Sequence, residues 1–584
     1  MLPPRSAVGR IPGSLQLLRS STHHGFPHQF RPFTNRSRLL LVSPPLGRPQ
    51  LPFLSPSVGN RPLPPLSIHL RQHFGRLIST ETRDYYKRRI SGGLRLGLTF
   101  YAILVCFQVI KLGIYQEEIE HKWPTPPEWT WKSRWCLRSA HAVQNPEEIG
   151  KLITSWPMVA GYLRELIERL EDINGEGKGI VEQADGGFVI EGVGKTGFDV
   201  SAKSEPWRRG YFQALIGAAK AAENLEGWVT DWKQRISAPA EYVVGPSNPN
   251  PKPMLPGVNK TLHEEDCGPA SPSPETFYMK ILTTKGFDEG QKLDAALAYA
   301  DWLDYKGLTA TARDMYNWAM DIAVSGSPDA KKVVDVKTGV LKNNGKDLPS
   351  ENILRVSTAM AVHQAQQGNL PTALSIFTSV LKARRSLPPP PPGLAPPLPP
   401  KKPSNDIITT WFNKIKTVFV PVEFPPAPPS GNDPPFRTPS SICEEAGLMT
   451  YIGEIIYASS STDTGLAWTR DATDTAESSI FDLGGPDHVT PNHRCAQCLK
   501  VGLENWRTMV SKLVSKAEAE EYASREKAKT AWFGGQKRVR AKVAERQRWE
   551  AEMLLLQDRF TRLGPLIESD AGLGDFAPGI SLFV

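Results

Sequence analysis

An uncharged run from Leu96 to Ile110 (LGLTFYAILVCFQVI) is the feature that most limits how this chain can fold. Arg95 and Lys111 bound the run, and their long side chains can reach polar headgroups from either end of an apolar helix. With its flanks, the segment 92–115 contains 24 residues, and a helix of about 20 residues spans the hydrocarbon core of a bilayer. We therefore predict one transmembrane helix at 92–115, with a buried helix of a soluble domain as the alternative.

The composition of residues 1–80 differs from that of the rest of the chain. This segment holds ten arginines, no lysine and no acidic residue, and it is rich in serine and proline. Such a composition is typical of a mitochondrial transit peptide, and the end of the segment resembles a processing site around Arg76, Ile78 and Ser79. We predict a disordered presequence at 1–80; the alternative is a basic tail of a cytosolic protein.

The charge of the remaining chain is close to neutral. Outside the first 80 residues there are 59 basic side chains (69 less those ten) and 61 acidic ones. The overall pI of about 9.0 therefore arises from the N-terminal segment, and it does not indicate nucleic-acid binding.

The flanks of the apolar run predict its orientation. Basic residues precede it, whereas Glu117, Glu118 and Glu120 follow it. Because basic flanks stay on the side from which a helix inserts, we expect the N-terminus in the mitochondrial matrix. The residues from about 116 onward then lie in the intermembrane space.

Four tryptophans within a short proline-containing stretch follow the apolar run. Indole rings favour the headgroup zone, where their apolar body and their N–H donor are both satisfied. We expect an aromatic collar just outside the bilayer; the alternative is that the rings pack against the first soluble helix. The residues concerned are Trp123, Trp129, Trp131 and Trp135.

A pattern of small and aromatic residues occurs twice with the same spacing. Each copy has an alanine seven residues before a glycine, and further residues five, nine and twelve positions after it. The pattern resembles the tetratricopeptide repeat (TPR), a helix pair whose turn is closed by glycine. The two copies consist of Ala300, Gly307, Ala312, Tyr316 and Ala319, and of Ala361, Gly368, Ala373, Phe377 and Val380.

Weaker copies follow. Gly453 matches the small position of a first helix, but Ser460 replaces the turn glycine and Thr469 the aromatic residue. Gly502 and Trp506 belong to a fourth candidate first helix. The resemblance implies a solenoid that binds peptides or a partner helix; helix pairs without this geometry are the alternative.

These observations predict an all-α protein, with one N-terminal transmembrane helix followed by a TPR-like solenoid that a proline-rich disordered insertion interrupts. Runs such as LPPPPPGLAPPLPP favour polyproline II and form no packed core. The predicted segments after the membrane helix are a collar and helical part (116–240), a linker (241–275), TPR-like repeats (276–386), the insertion (387–440), and further helices ending in a charged one (441–584).

Motifs that resemble reactive sites are incomplete. The stretch GVGKT ends like a phosphate-binding loop, but valine stands at 189 where that loop needs glycine. Cys495 and Cys498 form one CxxC, whereas structural zinc sites take four ligands. We expect two free thiols there, with an oxidised pair as the alternative. We find no nucleophile–base arrangement, so we predict a non-enzyme without catalytic residues, cofactor, metal or small-molecule substrate.

The order of presequence, basic-flanked anchor LRLGLTFYAILVCFQVIK, PTPPEW and TPR-like segments resembles one fungal family. This is the family of TPR adaptor subunits of the i-AAA protease supercomplex of the mitochondrial inner membrane. The resemblance implies a protein-binding adaptor in protein quality control. The alternatives are an assembly or scaffold factor for a respiratory-chain complex and, from another class, a redox or metal protein acting through Cys495 and Cys498.

Overall fold

A computed structural model describes most of the chain beyond the N-terminal segment. It divides into two units, one ending at Phe100 and the other beginning at Tyr101. The candidate processing residues Arg76, Ile78 and Ser79, like the rest of the predicted presequence up to 79, lie outside the described residues. The described ranges are 80–145, 153–182, 189–190, 194–195, 197–253, 261–342, 347–391, 422–482, 493–530 and 535–568.

The first helix, α1 (Thr80–Lys122), is 43 residues long and extends beyond the predicted span at both ends. By length and composition it is the one helix in the described part of the chain that is apolar enough to cross a membrane, with a mean hydropathy of 1.8 over an 18-residue window. Its apolar side chains between residues 96 and 114 are exposed, as are Arg95 and Lys111. The described residues of the first unit, 80–100, all belong to this helix.

The prediction of an all-α protein is confirmed, since the described residues are mostly helical and form 14 helices. After α1 these are α2 (Trp131–Gln144), α3 (Trp156–Glu171), α4 (Glu205–Asn224), α5 (Pro274–Thr283), α6 (Glu289–Tyr305), α7 (Thr309–Ser325), the short α8 (Ala330–Val333), α9 (Glu351–Gln366), α10 (Leu370–Arg385), α11 (Pro439–Ser459), α12 (Thr462–Asp482), α13 (His493–Thr530) and α14 (Gly535–Glu568).

The helices after α1 pack as consecutive pairs: α2 with α3, α4 with α5, α6 with α7, α9 with α10, α11 with α12, and α13 with α14. The second helix of each pair also contacts the first helix of the next pair. First helices touch one another as well, in α4–α6, α6–α9 and α11–α13. A stack of this kind buries apolar faces that a single pair leaves open to water.

Both copies of the sequence pattern occupy equivalent places in this stack. Gly307 and Gly368 follow α6 and α9 with φ angles of 76° and 80°, a conformation that is strained for residues with a Cβ atom. The other residues of the pattern are buried where the helices of a pair meet their neighbours: Ala300, Ala312, Tyr316, Ala319, Ala361, Ala373, Phe377 and Val380.

The next pair, α11 and α12, is held together by two glycines. A Cβ atom added to Gly453 would lie 2.6 Å from the Oγ1 atom of Thr469, and one added to Gly465 would lie 2.4 Å from the backbone nitrogen of Tyr457. The two helices therefore pack backbone to backbone. Gly502 of α13 similarly lies against Thr473, with an added Cβ at 2.9 Å from its Oγ1 atom.

The predicted interruption of the stack is wrong. Phe377 of α10 stacks on Tyr451 of α11 with ring centroids 5.2 Å apart, so the helices before and after the insertion share one core. The proline-rich segment connects the end of α10 to the start of α11, and these two helices pack directly on each other. Residues 392–421, which include most of the proline runs, lie outside the described residues.

The returning part of the insertion, residues 422–438, docks along the helix ends. The carbonyl oxygens of Pro425 and Pro426 accept hydrogen bonds from the buried Arg209 of α4, at 2.5 and 2.8 Å. Farther along, the backbone of Gly431 accepts from the backbone N–H of Asn352 at 3.0 Å, and Asn352 also donates from its side chain to Ser430. This part of the insertion therefore belongs to the folded body, contrary to the predicted disorder of 387–440.

Short strands interrupt the helical order between α3 and α5. They are β1 (Val181–Glu182), β2 (Val189–Ile190), β3 (Gly194–Lys195), β4 (Phe198–Asp199), β5 (Trp228–Asp231), β6 (Ile236–Pro239), β7 (Val243–Val244), β8 (Leu262–His263) and β9 (Cys267–Pro269). Antiparallel pairs join β1 with β4, β2 with β3, and β5 with both β6 and β9; β7 and β8 pair in parallel. The described residues of the segment 241–275, predicted as a linker, therefore include the strands β7, β8 and β9.

We expect Gly465→Ala to destabilise the protein by about 1–3 kcal/mol, because the added methyl group would collide with the backbone of α11. The matched control is Gly161→Ala in α3, where no atom lies within 4 Å of the added group. That change should raise stability by up to about 1 kcal/mol through helix propensity. Thermal unfolding of the two variants tests this, and equal midpoints would contradict the close packing.

Candidate functional site

A solvent-open pocket of about 300 Å³ lies on the first helices of several neighbouring pairs. Side chains from α6, α9, α11 and α13 line it, together with one from the last turn of α10. The lining residues are Leu297, Arg355, Thr358, Ala359, Arg384, Glu444, Gly447, Leu448, Tyr451 and Arg494. The pocket therefore exists only because separate helix pairs are stacked.

The inner surface of the pocket is mostly apolar. Leu297, Ala359 and Leu448 contribute aliphatic surface, and Tyr451 contributes its ring. The stacking of Tyr451 on Phe377 fixes that ring from behind. Burial, with a smaller contribution from Glu454, raises the pKa of Tyr451 to about 12, so the phenol stays neutral at physiological pH.

Charged groups surround this apolar surface. Arg384, with 4% of its surface exposed, forms ion pairs with Glu351 at 3.1 Å and Glu444 at 2.6 Å. Glu444 also pairs with Arg494, and Arg355 pairs with Asp294 of α6. The buried Nε atom of Arg384 has no hydrogen-bond acceptor in the described part of the chain.

A disulfide between Cys443 and Cys495 joins α11 to α13 beside the pocket. Each cysteine is adjacent in sequence to one member of the Glu444–Arg494 ion pair. The disulfide therefore holds together the two helices that this ion pair also joins.

The sequence-based interpretation of the CxxC is wrong. Cys495 is bonded to Cys443, and Cys498 is a free thiol. Burial first, and then Glu444, raise the pKa of Cys498 to about 11. Since the thiolate is the reactive form, Cys498 is a poor nucleophile at neutral pH. The two cysteines of the motif therefore form neither a pair of free thiols nor an oxidised pair.

Two residues of the stretch that resembles a phosphate loop belong to a strand pair. Gly194 and Lys195 form β3, which pairs with β2 antiparallel, whereas a phosphate loop leads from a strand into a helix. Within the described residues, no group of three or more metal-ligating side chains comes together.

The four predicted collar tryptophans occupy different environments. Trp129 is buried in the core, and its ring lies against Gly210 of α4. Trp123 stacks on His141, and Trp135 meets Tyr162 edge-on. These three rings pack on the helical body, which differs from the predicted collar. Trp123 contacts α2, the first soluble helix, as the alternative expected, whereas Trp129 and Trp135 contact α4 and α3. Trp131 is 68% exposed and stacks on Trp135.

A buried carboxylate fixes the last turn of α1 to α2. Glu120, 2% exposed, accepts hydrogen bonds from Arg138 at 2.6 Å, from Arg134 at 2.8 Å and from the Thr125 hydroxyl at 2.7 Å. Burial alone would raise the pKa of Glu120, but the bonds from Thr125 and Arg134 outweigh it and hold the pKa below 4.5. The end of α1 is thus held in the helical body.

Several residues of these sites carried no recognisable signal in the sequence. Cys443 lies 52 residues from its disulfide partner, and Arg384 and Glu444 lie on opposite sides of the proline-rich insertion. The pattern of alternating small and aromatic residues identified the helix pairs, but it did not show which surface of the stack forms a pocket.

Comparison of the chain with protein-family models, with curated proteins and with solved structures gives no match. What is inferred below about function therefore depends on the residues of this chain.

We expect Glu120→Gln to cost about 3–5 kcal/mol at neutral pH, because it leaves Arg138 buried without its anionic partner. Folding lowers the pKa of Glu120. Its carboxylate therefore stabilises the folded protein fully above pH 4.5, and this stabilisation is lost as the pH falls through the lowered pKa of the folded state. The difference between wild type and variant should therefore shrink in acid. Thermal unfolding at several pH values tests this. The control is Glu165→Gln at a 41% exposed side chain, which should change the melting temperature little.

Removal of the disulfide by Cys443→Ser should lower stability by about 2–5 kcal/mol, because the bond closes a long loop. The matched control is Cys267→Ser, which replaces a free thiol. Peptide mapping without reductant should recover Cys443 linked to Cys495, with Cys498 open to alkylation after unfolding. A Cys495–Cys498 linkage would contradict the structure.

Proposed function

We propose that this chain is a non-enzymatic, single-pass adaptor of the mitochondrial inner membrane that binds proteins through TPR-like helix pairs. In this role it would help deliver them to the i-AAA protease. One observation carries the proposal: an exposed apolar helix leads into a stack of helix pairs whose first helices form an open pocket. Stacked helix pairs of this kind present extended surfaces for binding other proteins.

The charges and the disulfide support the proposed orientation. The basic residues before the apolar run favour a matrix-side N-terminus. A disulfide forms and persists in an oxidising compartment, and Cys443 and Cys495 lie well beyond the apolar run. Both features are consistent with a body in the intermembrane space.

The junction after α1 supports a role close to the membrane. Ile119 and Glu120 are buried, and Glu120 is held by two arginines of α2. Because this turn belongs to the packed body, a protein bound by the helix pairs would be kept near the end of the membrane helix. An adaptor for a membrane-anchored protease needs such proximity, while ATP hydrolysis would belong to the protease.

Affinity purification from mild detergent tests the proposal. With a C-terminal tag on the full chain, we expect the i-AAA protease to co-purify in near-stoichiometric amount, and turnover of its substrates to slow when the gene is deleted. A matched control replaces 92–115 with an unrelated transmembrane helix of equal length, which separates binding by the body from binding by the span.

Two outcomes would contradict the proposal. Recovery of respiratory-chain subunits without the protease would favour the assembly-factor alternative. Protection of the C-terminal tag from added protease in mitoplasts would place the body in the matrix and would be incompatible with the proposed topology.

A further inference from the structure

We infer that the outer end of the hairpin formed by α13 and α14 binds a membrane surface that carries anionic phospholipids. This end consists of the last turns of α13 and the first turns of α14, residues 522–530 and 535–544. The inference goes beyond delivery to a protease and uses only the proposed membrane placement of the chain. It is carried by a projecting helix pair that ends in unpaired positive charge.

The hairpin extends past the stack of helix pairs. α11 and α13 run side by side from the disulfide between Cys443 and Cys495 to a hydrogen bond that the Tyr457 hydroxyl donates to the carbonyl oxygen of Met509, at 3.1 Å. Tyr457 lies in the last turn of α11, whereas α13 continues through residues 510–530. That continuation adds about 30 Å of helix, so the end of the hairpin lies beyond the end of α11.

Ion pairs between the two helices hold the outer part of the hairpin together. Lys542 of α14 binds Glu520 of α13 at 2.6 Å, and Arg546 binds Glu521 at 2.7 Å. Below them, Ala517 of α13 is buried in the same apolar cluster as the α14 side chains. The two helices therefore reach outward as one unit.

Positive charge is concentrated at the end of the hairpin. Between residues 522 and 544 there are seven basic side chains and one acidic side chain, Glu526. The rest of the chain after residue 80 has 52 basic side chains (59 less those seven) and 60 acidic ones (61 less that one). The end therefore carries a net charge of +6 (seven less one) on a body that is otherwise negative. The basic residues are Arg525, Lys527, Lys529, Lys537, Arg538, Arg540 and Lys542.

Three of these basic side chains are not balanced by a carboxylate. The nearby acidic residues are already used, since Glu526 pairs with Lys529 and Glu545 pairs with Lys542. The three remaining side chains are exposed in the first two turns of α14, and none of them forms an ion pair within the described residues. They can bind external anions without breaking an existing contact. These residues are Lys537, Arg538 and Arg540.

An anionic membrane surface fits this arrangement. Clusters of roughly four to eight lysines and arginines on a helix bind the headgroups of anionic phospholipids. A projecting end can reach a flat surface that offers many phosphates at once. The same chain supplies the proximity, because Glu120 joins the helical body to the end of the apolar helix α1.

Flotation with lipid vesicles tests the inference on the full chain. The protein is held through α1 in nanodiscs of neutral phosphatidylcholine, and vesicles of phosphatidylcholine with or without phosphatidylglycerol are added. We expect tighter binding to the anionic vesicles, with an affinity that falls as salt rises, because salt screens exposed charges. The arginines of residues 1–80 are the same in every protein compared, so differences between variants report on the hairpin.

A triple variant of the hairpin end locates the binding. Lys537→Gln, Arg538→Gln and Arg540→Gln together should weaken binding to anionic vesicles at least roughly tenfold, because each basic residue at an anionic surface contributes about fivefold. The variant that keeps the charges, Lys537→Arg, Arg538→Lys and Arg540→Lys, should bind like wild type. Because these side chains are exposed and unpaired, the melting temperatures should stay unchanged.

The matched control removes three exposed basic side chains elsewhere on the body. Arg313→Gln lies in α7, Lys331→Gln in α8, and Lys337→Gln in the loop that follows α8. This variant has the same net charge as the triple variant of the hairpin. It should bind anionic vesicles like wild type, because the lost charges lie outside the hairpin.

Three results would overturn the inference: undiminished vesicle binding by the triple variant of the hairpin, an equal loss of binding in the control variant, or tighter binding of duplex DNA than of anionic vesicles. The proposed function fails by a different result, namely absence of the protease from the purified complex. Since the vesicle assay contains no protease, the two proposals can fail separately.

Discussion

Close contact between neighbouring helices through small residues is the interaction on which this structure depends. Alanines and glycines allow helix backbones to approach, and aromatic residues such as Phe377 fill the space between pairs. No pair buries its apolar face alone, so each pair is stable only against the next. The pocket is a consequence of this dependence, because its walls come from successive pairs and its inner surface is supported by the contact between Phe377 and Tyr451.

Buried polar contacts determine how the remaining segments join the stack. Glu120 holds the end of α1 against α2 through two arginines. Arg209 holds the proline-rich segment through two carbonyl oxygens. In both cases a charge that would be costly in an apolar core is matched by several partners. These contacts explain why a chain with many prolines and a long apolar helix still forms one packed body beyond Tyr101.

The pattern of small and aromatic residues was sufficient to locate α6, α7, α9 and α10, since helical spacing and turn glycines are local properties. The same reasoning misplaced three of the four predicted collar tryptophans. Their composition is typical of a membrane interface, but Trp129 finds a gap beside Gly210 that only the folded chain creates. It also treated 241–275 as a linker, because strands of two or three residues leave no periodic pattern to recognise.

The sequence by itself determined the helical class, the single apolar span, the turn positions at Gly307 and Gly368, and the helices of the repeat pattern. Each of these depends on residues near one another in the chain. Only the tertiary structure decided that Cys443 rather than Cys498 pairs with Cys495, that α10 packs on α11 across the insertion, and that Arg355, Arg384 and Arg494 meet at one pocket. Those contacts join residues from separate helices. The packing of whole helix pairs determines which of these residues come together.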